Sequence, residues 1–582
     1  MKKLLKRLCS AMVAAVMVMT MAPAAFAADG GAQFQNGPYL LAPKTNSMVV
    51  VWESTEKVSA TIAYGTDESK LCDPIKVEID ADAPDFKGSK MNLFHYKLDN
   101  LTPGTRYYYE VKLEGGATCK ASFKTLSEKP DQIRLITLSD SHIFATRAEL
   151  DQAIKEFDPD LLLHCGDMVE GTGAQAEQFS FWFQGKVEND YIHSYPVVYS
   201  SGNHDQGGVY FNTYVYSIQD EEYGAEVEGD SSFNYAGLHI ITMNSNPWGL
   251  FQMNSEATGQ KADAATIKTI DNAMNWLKKD LATDAAKNAD FRLIFMHHPV
   301  SDAYTKRYIP AVIEPGKVDL LLSGHTHSYA RAVSSNPAVG AGTIYLTHQD
   351  ARTYNKKGDF FYITSTPGSG VLDVKNYGAT AAGQESKVAN ETLVAKDKQQ
   401  LSWSDISITP SEVLYNGEVT VTAKVTNNGK GLAAAVIPVV DNGTTRYLYK
   451  FEDGIVTLDP GKSATLTGTL RMETLGTHTL KLADKTVSVN VKYRPTTFDY
   501  TNIRTQQGNG KTSDMNSNIL HIKADVVNIG NDAGTGTAEF KVNGVTVGTR
   551  QYTLKSGESQ TAEFAYTFDK AGKYEVTIGN AK

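Results

Sequence analysis

Five apolar runs in the middle of the chain each end in residue types that bind metals. Ile133–Leu138 leads into Asp140-Ser141-His142, residues 161–163 into Gly166-Asp167, and Val197–Tyr199 into Gly202-Asn203-His204-Asp205. Residues 293–296 lead into His297-His298-Pro299, and residues 320–322 into Gly324-His325-Thr326-His327. Each piece alone is ordinary, since Gly-Asp and Gly-Asn are turn dipeptides and a lone histidine is commonly structural. Together they set carboxylate, amide and imidazole donors at the tips of five strands. Two divalent ions about 3.5–4 Å apart need a bridging carboxylate, because a carboxylate offers an oxygen to each ion whereas a neutral imidazole offers one lone pair. Asp167 is the natural bridge. The donor set suits Fe, Zn or Mn, and the lack of cysteine among the donors speaks against a structural thiolate zinc site.

These tips need a scaffold that brings them together. Between 133 and 374 the strand-like runs alternate with helical patterns at 147–157 and 265–281, which signals a layered α/β core. In open α/β sheets ligands bind beyond the carboxyl ends of strands, so the five tips are expected to meet in one crevice. Upstream, Met48-Val49-Val50-Val51-Trp52, Thr61-Ile62-Ala63-Tyr64 and Tyr107-Tyr108-Tyr109 lie between turn signals, as in a β-sandwich. The L-x-x-L-x-P-x-T-x-Y run from Leu98 to Tyr107 resembles the end of a fibronectin type III domain. Residues 377–400 are rich in Ala, Gly, Lys, Asp and Gln without periodicity and read as a linker. Beyond Leu401, Val425-Thr426-Asn427-Asn428-Gly429 is echoed by Val526-Val527-Asn528-Ile529-Gly530 about 100 residues later, which predicts two tandem β-sandwiches. The expected fold is thus multidomain, with an α/β core at 131–376, one β-sandwich before it at 30–127, and two after it at 401–494 and 495–582.

The first residues read as a leader. Lys2, Lys3, Lys6 and Arg7 precede an apolar run ending near Met21 and the small-residue site Ala25-Phe26-Ala27, so residues 1–27 read as a secretory signal peptide. No later stretch has the length of a membrane span, and the mature protein is expected to be secreted or extracellular. Cys72, Cys119 and Cys165 then remain, too few for a disulfide framework; Cys72 and Cys119 are the pair that could join, and Cys165 reads as a buried thiol. The formal charge of −10 becomes −14 without the four basic leader residues, which argues against a nucleic-acid scaffold as partner.

The motifs Leu163-His164-x-Gly166-Asp167, Gly202-Asn203-His204-Asp205, Trp276-Leu277-x-x-Asp280-Leu281, His297-x-Pro299 and Val318-Asp319-Leu320-x-Leu322-Ser323-Gly324-His325-x-His327-x-Tyr329-x-Arg331 resemble those of the calcineurin-like metallophosphoesterases. With the sandwich ahead of them, they are most similar to the purple acid phosphatase branch, over residues 37–370. The resemblance implies one metal held by Asp140, His142, Asp167 and His327, and a second held by Asp167, Asn203, His297 and His325. It makes His204 a non-ligand histidine beside the leaving group, able to donate a proton. It further implies in-line attack on phosphorus by a metal-generated hydroxide. His298 is the alternative to His297, and His164 is left a supporting role. Two positions depart from the branch: Glu170 stands where the purple enzymes carry the tyrosine that gives their colour, and Ala330 replaces a glutamate. Glu170 is expected either to coordinate or, preferably, to face solvent beside the cleft.

The leading expectation is a secreted, dinuclear metal-dependent phosphatase acting on phosphomonoesters. A phosphodiesterase or nucleotidase would use the same ions with different pocket walls. A cell-surface binding protein with a vestigial core is the reading from another class, suggested by the C-terminal modules, which are expected to act as spacers or to contact a cell wall.

Overall fold

The computed structural model describes residues 31–579 apart from 81–84, 87–88, 143–146, 171–178, 180–181, 184–190, 206–210, 248–262, 301–308, 314, 334–341, 350–358, 379–387, 397–399, 449–455 and 509–516. The expected signal peptide lies outside the described residues. The described residues divide into two compact units, one of 31–333 with 343–396 and one of 400–579 with Gly342.

The first unit opens with two antiparallel sheets, one of Phe34–Leu41, Met48–Ser54 and Leu93–Leu98, the other of Ala60–Gly65, Ile75–Val77, Arg106–Leu113 and Thr118–Lys124. Alternation along Arg106–Leu113 sends Tyr107, Tyr109, Val111 and Leu113 inward to meet Val50, Trp52 and Phe94 from the other sheet in one core. The Tyr107 hydroxyl accepts the main-chain N–H of Thr102 at 2.9 Å, pinning the Leu98–Thr105 loop to the strand. The suggested disulfide is absent. Cys72 lies against Tyr64 on one side of Ala60–Gly65, while Cys119 pairs with Val111 two strands away, and neither is in a disulfide.

The rest of this unit holds two six-stranded sheets. In one, β1 (Ile133–Leu138), β2 (Leu161–His164) and β3 (Val197–Tyr199) run parallel. In the other, β4 (Ser231–Tyr235) pairs with β5 (Leu238–Thr242), which runs parallel to β6 (Phe291–Phe295), β7 (Leu320–Ser323) and, beyond β8 (Ala330–Val333) in sequence, β9 (Ile344–Thr347). The parallel strands are mostly apolar and largely buried because both faces are covered. On one face of the second sheet lies α1 (Ala264–Leu281), whose Ile270, Ala273, Met274, Leu277 and Leu281 recur at helical spacing and pack on Ile241, Ile294 and Leu321. Asp263 caps this helix by accepting the Thr266 N–H at 2.8 Å.

The first sheet is completed by β10 (Asp359–Ser365), β11 (Val371–Gly378) and β12 (Val388–Ala395), antiparallel to one another. This corrects the reading of 377–400 as a linker. Polar Asn390, Glu391 and Thr392 hide the strand from composition, yet Thr392, Val394 and Ala395 are buried once β11 pairs with them.

The N-terminal sheets dock on this region through polar contacts between distant residues. The Tyr39 hydroxyl donates to the Tyr214 carbonyl at 2.8 Å, Tyr214 donates to Glu53 at 3.0 Å, and Tyr109 donates to the His193 carbonyl at 2.8 Å. Burial pushes the Glu53 carboxyl upward, partly offset by its bonds from Tyr214 and Asn36.

The second unit is almost wholly β. One core gathers Val419, Val421, Ala423, Val439, Leu480 and Val489, and a second gathers Ile522, Ala524, Val526, Phe540 and Leu554. The sequence echo has a structural counterpart in paired asparagines: Asn427 Nδ2 donates to the carbonyls of Gly431 and Leu458, as Asn528 Nδ2 does to those of Asp532 and Leu554. No helix among the described residues is long and apolar enough to cross a membrane.

Candidate metal centre

The loops leaving β1, β2, β3, β6 and β7 carry the sequence-predicted residues to one place. Asp140, His142, Asp167, His325 and His327 all adopt left-handed backbone angles, with φ between 46° and 71°. Such conformations cost of order 1 kcal/mol or more each for residues with a Cβ. They are held by cross-loop bonds from the Asp140 N–H to the Gly166 carbonyl and from the His142 N–H to the Asp167 carbonyl, each 2.9 Å. The turns also approach so closely that two glycines have no substitute. A Cβ on Gly324 would stand 1.8 Å from Ser139 Oγ, and one on Gly202 would stand 2.1 Å from Asp167 Oδ1.

Donor atoms of Asp140, His142, Asp167 and His327 all lie within 4.8 Å of one another. Within this cluster His142 Nε2 is 3.4 Å from His327 Nε2, and His327 Nε2 is 3.1 Å from Asp140 Oδ1. Beside it, His297 Nε2 lies 3.1 Å from both Asp167 Oδ2 and Asn203 Oδ1, and His325 Nδ1 lies 2.8 Å from that same Asn203 oxygen. His142 Nδ1 faces the Val169 carbonyl at 3.1 Å, and His297 Nδ1 faces the Cys165 carbonyl at 2.9 Å. Each Nδ1 is therefore the protonated nitrogen, which turns each Nε2 lone pair toward other acceptors. Acceptors converging on acceptors call for a cation. Spacings near 3 Å match the edge of a coordination polyhedron with bonds of about 2.1 Å, so the residues fit a metal pair.

Residues 133–329 match the calcineurin-like phosphoesterase family, and residues 38–125 match the purple acid phosphatase N-terminal domain. The central region of the chain is thus similar to the calcineurin-like phosphoesterases. That match indicates a hydrolase, a metallophosphoesterase, and the matched family uses a dinuclear metal centre. Among solved structures the chain is similar to one described as PhoD, at 12% identity over 63% of this chain and 90% of that one, with a TM-score of 0.46. A predicted phosphoesterase from Streptococcus pneumoniae TIGR4 matches at 10% identity over 45% of this chain and 98% of that one, with a TM-score of 0.21. A β-glucuronidase from Bacteroides uniformis matches at 10% identity over 94% and 78%, with a TM-score of 0.20. Likenesses this distant carry no argument. No curated protein matches the chain.

Electrostatics of the phosphoesterase site follow from burial and crowding. Desolvation pushes the Asp167 carboxyl up, but the charges of His297 and His204 outweigh it and hold the group well below the usual carboxylate range. Burial pulls His297 down, and Asp167 beside it reverses the effect, lifting the imidazole to about 9 in the absence of metal. Burial lowers His325 to about 4, so this ring is neutral and its lone pair free at ordinary pH. Burial and the nearby Asp167 charge raise Asp205 to about 7, against three main-chain N–H donors, from Gly202, Met168 and Val169, that favour its carboxylate. Asp205 thus ties the β2 and β3 turns together.

His204 stands at the open side of the cluster with its side chain 35% exposed. Its Nδ1 donates to the Glu170 carbonyl at 2.7 Å, leaving Nε2 directed inward, 4.0 Å from Asp167 Oδ2. His298 turns toward Ser245. The serine Oγ accepts the His298 main-chain N–H at 3.0 Å and donates to its Nδ1 at 2.9 Å, although His298 also lies within 4.8 Å of His297 and His325 donor atoms. His164 is a tie between loops: its Nδ1 accepts the Gly166 N–H at 3.1 Å, its Nε2 meets Ser141 Oγ at 3.0 Å, and burial lowers it to about 3.

Two contacts escaped the sequence reading. Ser245 sits just past β5, a sixth strand end that a census of every strand terminus would have included. Glu170 was expected to face solvent or to coordinate; its side chain is 42% exposed, yet Oε2 is 2.9 Å from His142 Nδ1.

Proposed function

We propose that the protein is a secreted phosphatase that hydrolyses phosphomonoesters with two metal ions. Asp140, His142, Asp167 and His327 are assigned to one ion, and Asp167, Asn203, His297 and His325 to the other. The observation that carries this reading is the position of Asp167, whose carboxylate belongs to the first cluster while its Oδ2 lies 3.1 Å from His297 Nε2 of the second. Bound there, the ions supply Lewis acidity, which activates the attacking water and neutralises phosphoryl oxygens.

The chain's own groups do the rest. His297 is chosen over His298 because its Nε2 meets Asn203 and Asp167, whereas Ser245 occupies His298 Nδ1. His204 is oriented through Nδ1 by the Glu170 carbonyl, so Nε2 is the atom that hands a proton to the leaving oxygen. No side chain need form a covalent bond with phosphorus. The domain reading that goes with this function is a β-sandwich at 30–127, the catalytic domain at 131–376 extended by β12, and two sandwiches beyond Leu401. Export rests on the leader at 1–27.

The test is turnover of p-nitrophenyl phosphate against bis-p-nitrophenyl phosphate by the metal-loaded protein. Faster turnover of the monoester is expected. A clear preference for the diester would move the reading to a phosphodiesterase, and turnover of neither would favour a vestigial core.

A further inference from the structure

Glu170 follows the β2 turn and touches both halves of the site. Its Oε2 lies 2.9 Å from His142 Nδ1, and its main-chain oxygen accepts the His204 Nδ1–H at 2.7 Å. The neighbouring Val169 carbonyl shares the His142 Nδ1–H at 3.1 Å. The two rings stand edge to face with centroids 5.0 Å apart. The segment bearing these acceptors is itself anchored, since Asp205 Oδ1 accepts the Met168 N–H at 2.8 Å and the Val169 N–H at 3.2 Å.

We infer that Glu170 is a positioning residue for the metal centre, its carboxylate fixing the tautomer and strengthening the donor character of His142. The inference rests on the two-metal reading above. Two acceptors on one ring nitrogen leave no alternative tautomer: the proton stays on Nδ1 and the Nε2 lone pair faces His327 and Asp140. A carboxylate on the outer nitrogen of a ligand imidazole raises its basicity and holds its ring plane. The same peptide holds His204, so one short stretch sets the angle of a first-cluster donor and of the proton donor. The His142 side chain is 1% exposed whereas that of Glu170 is 42% exposed. Removing the glutamate therefore opens no hole in the core, and its effect belongs to metal binding rather than to folding.

The test is stepwise Zn²⁺ titration of the full chain against a chromophoric chelator, for the wild type, Glu170→Ala and Glu170→Gln, with thermal unfolding of each metal-free protein. Glu170→Ala is expected to weaken one of the two ions by about 10- to 100-fold and leave the other near its wild-type affinity. Unfolding of the metal-free chain should be unchanged. Glu170→Gln, whose side-chain oxygen still accepts from Nδ1–H, should recover most of the loss. If the wild type takes up two ions and Glu170→Ala binds both as tightly, or weakens both alike along with unfolding, the inference fails and the two-metal reading stands. If the wild type takes up fewer than two, both fall.

Discussion

Replacing Gly202 by alanine tests how tightly the ligand loops interlock. The added Cβ would lie 2.1 Å from Asp167 Oδ1, 2.3 Å from Asp167 N and 2.7 Å from Asp167 Cγ. Ordinary carbon contacts are about 3.5 Å or longer, so one turn must retreat by about 1 Å. The nearby nitrogen is main chain and cannot rotate away. Neither can one turn move alone, because Asp205 binds the Gly202 N–H at 2.8 Å with one oxygen and the Met168 and Val169 N–H groups with the other. The His204 N–H, bonded to Asp167 Oδ1 at 2.8 Å, shifts as well. A displacement of this size is expected to lower kcat/KM by about 10²-fold, and overpacking should cost about 1–3 kcal/mol of stability. The assay is p-nitrophenyl phosphate turnover with metal content measured on the same samples. Gly572→Ala, whose Cβ would meet nothing within 4 Å, is the control. Retention of half or more of the wild-type rate by Gly202→Ala would refute the interlock.

Four further outcomes are expected. His204→Ala should keep its metals while losing about 10²- to 10⁴-fold in turnover, the range for removing a proton donor; loss of metal or full activity would contradict its role. Because Asp167 lifts His297 to about 9, protons compete with metal for that nitrogen. Apparent affinity for the second ion should rise about tenfold per pH unit toward pH 9, as read in chelator-buffered titrations, and a flat profile would remove His297 from the ligand set. In the metal-free chain the sign reverses: the His297–Asp167 pair stabilises fully below the unfolded histidine value near 6.5, and that contribution is lost as pH rises through about 9. A chain ending near Gln400 should still hydrolyse small esters, since every assigned ligand lies between Asp140 and His327 and the second unit has its own cores. A folded, metal-loaded but inactive truncation would assign the later modules to the active site.

The strand ends were legible because parallel strands covered on both faces must be apolar, so a switch to Asp, Asn and His stands out. Helix α1 was equally plain from its 3.6-residue period. What could not be read was set by contacts between distant residues. The left-handed angles of Asp140, His142, Asp167, His325 and His327 have no local signal, because those residues are forced there by cross-loop bonds rather than by propensity. The Glu170 contact depends on where a loop carries His142, and β12 is a strand only because β11 offers it a partner. The Tyr214–Glu53 bond joins residues 161 apart, which no pattern along the chain announces.

In the proposed centre one carboxylate, Asp167, serves both metals. The most direct test of this bridge is metal content by mass spectrometry of the wild type and Asp167→Asn after identical loading and desalting. Two equivalents per chain are expected for the wild type, with occupancy of both sites lowered in Asp167→Asn. A variant that keeps one full equivalent while losing the other would show that the carboxylate serves a single ion and would contradict the bridge.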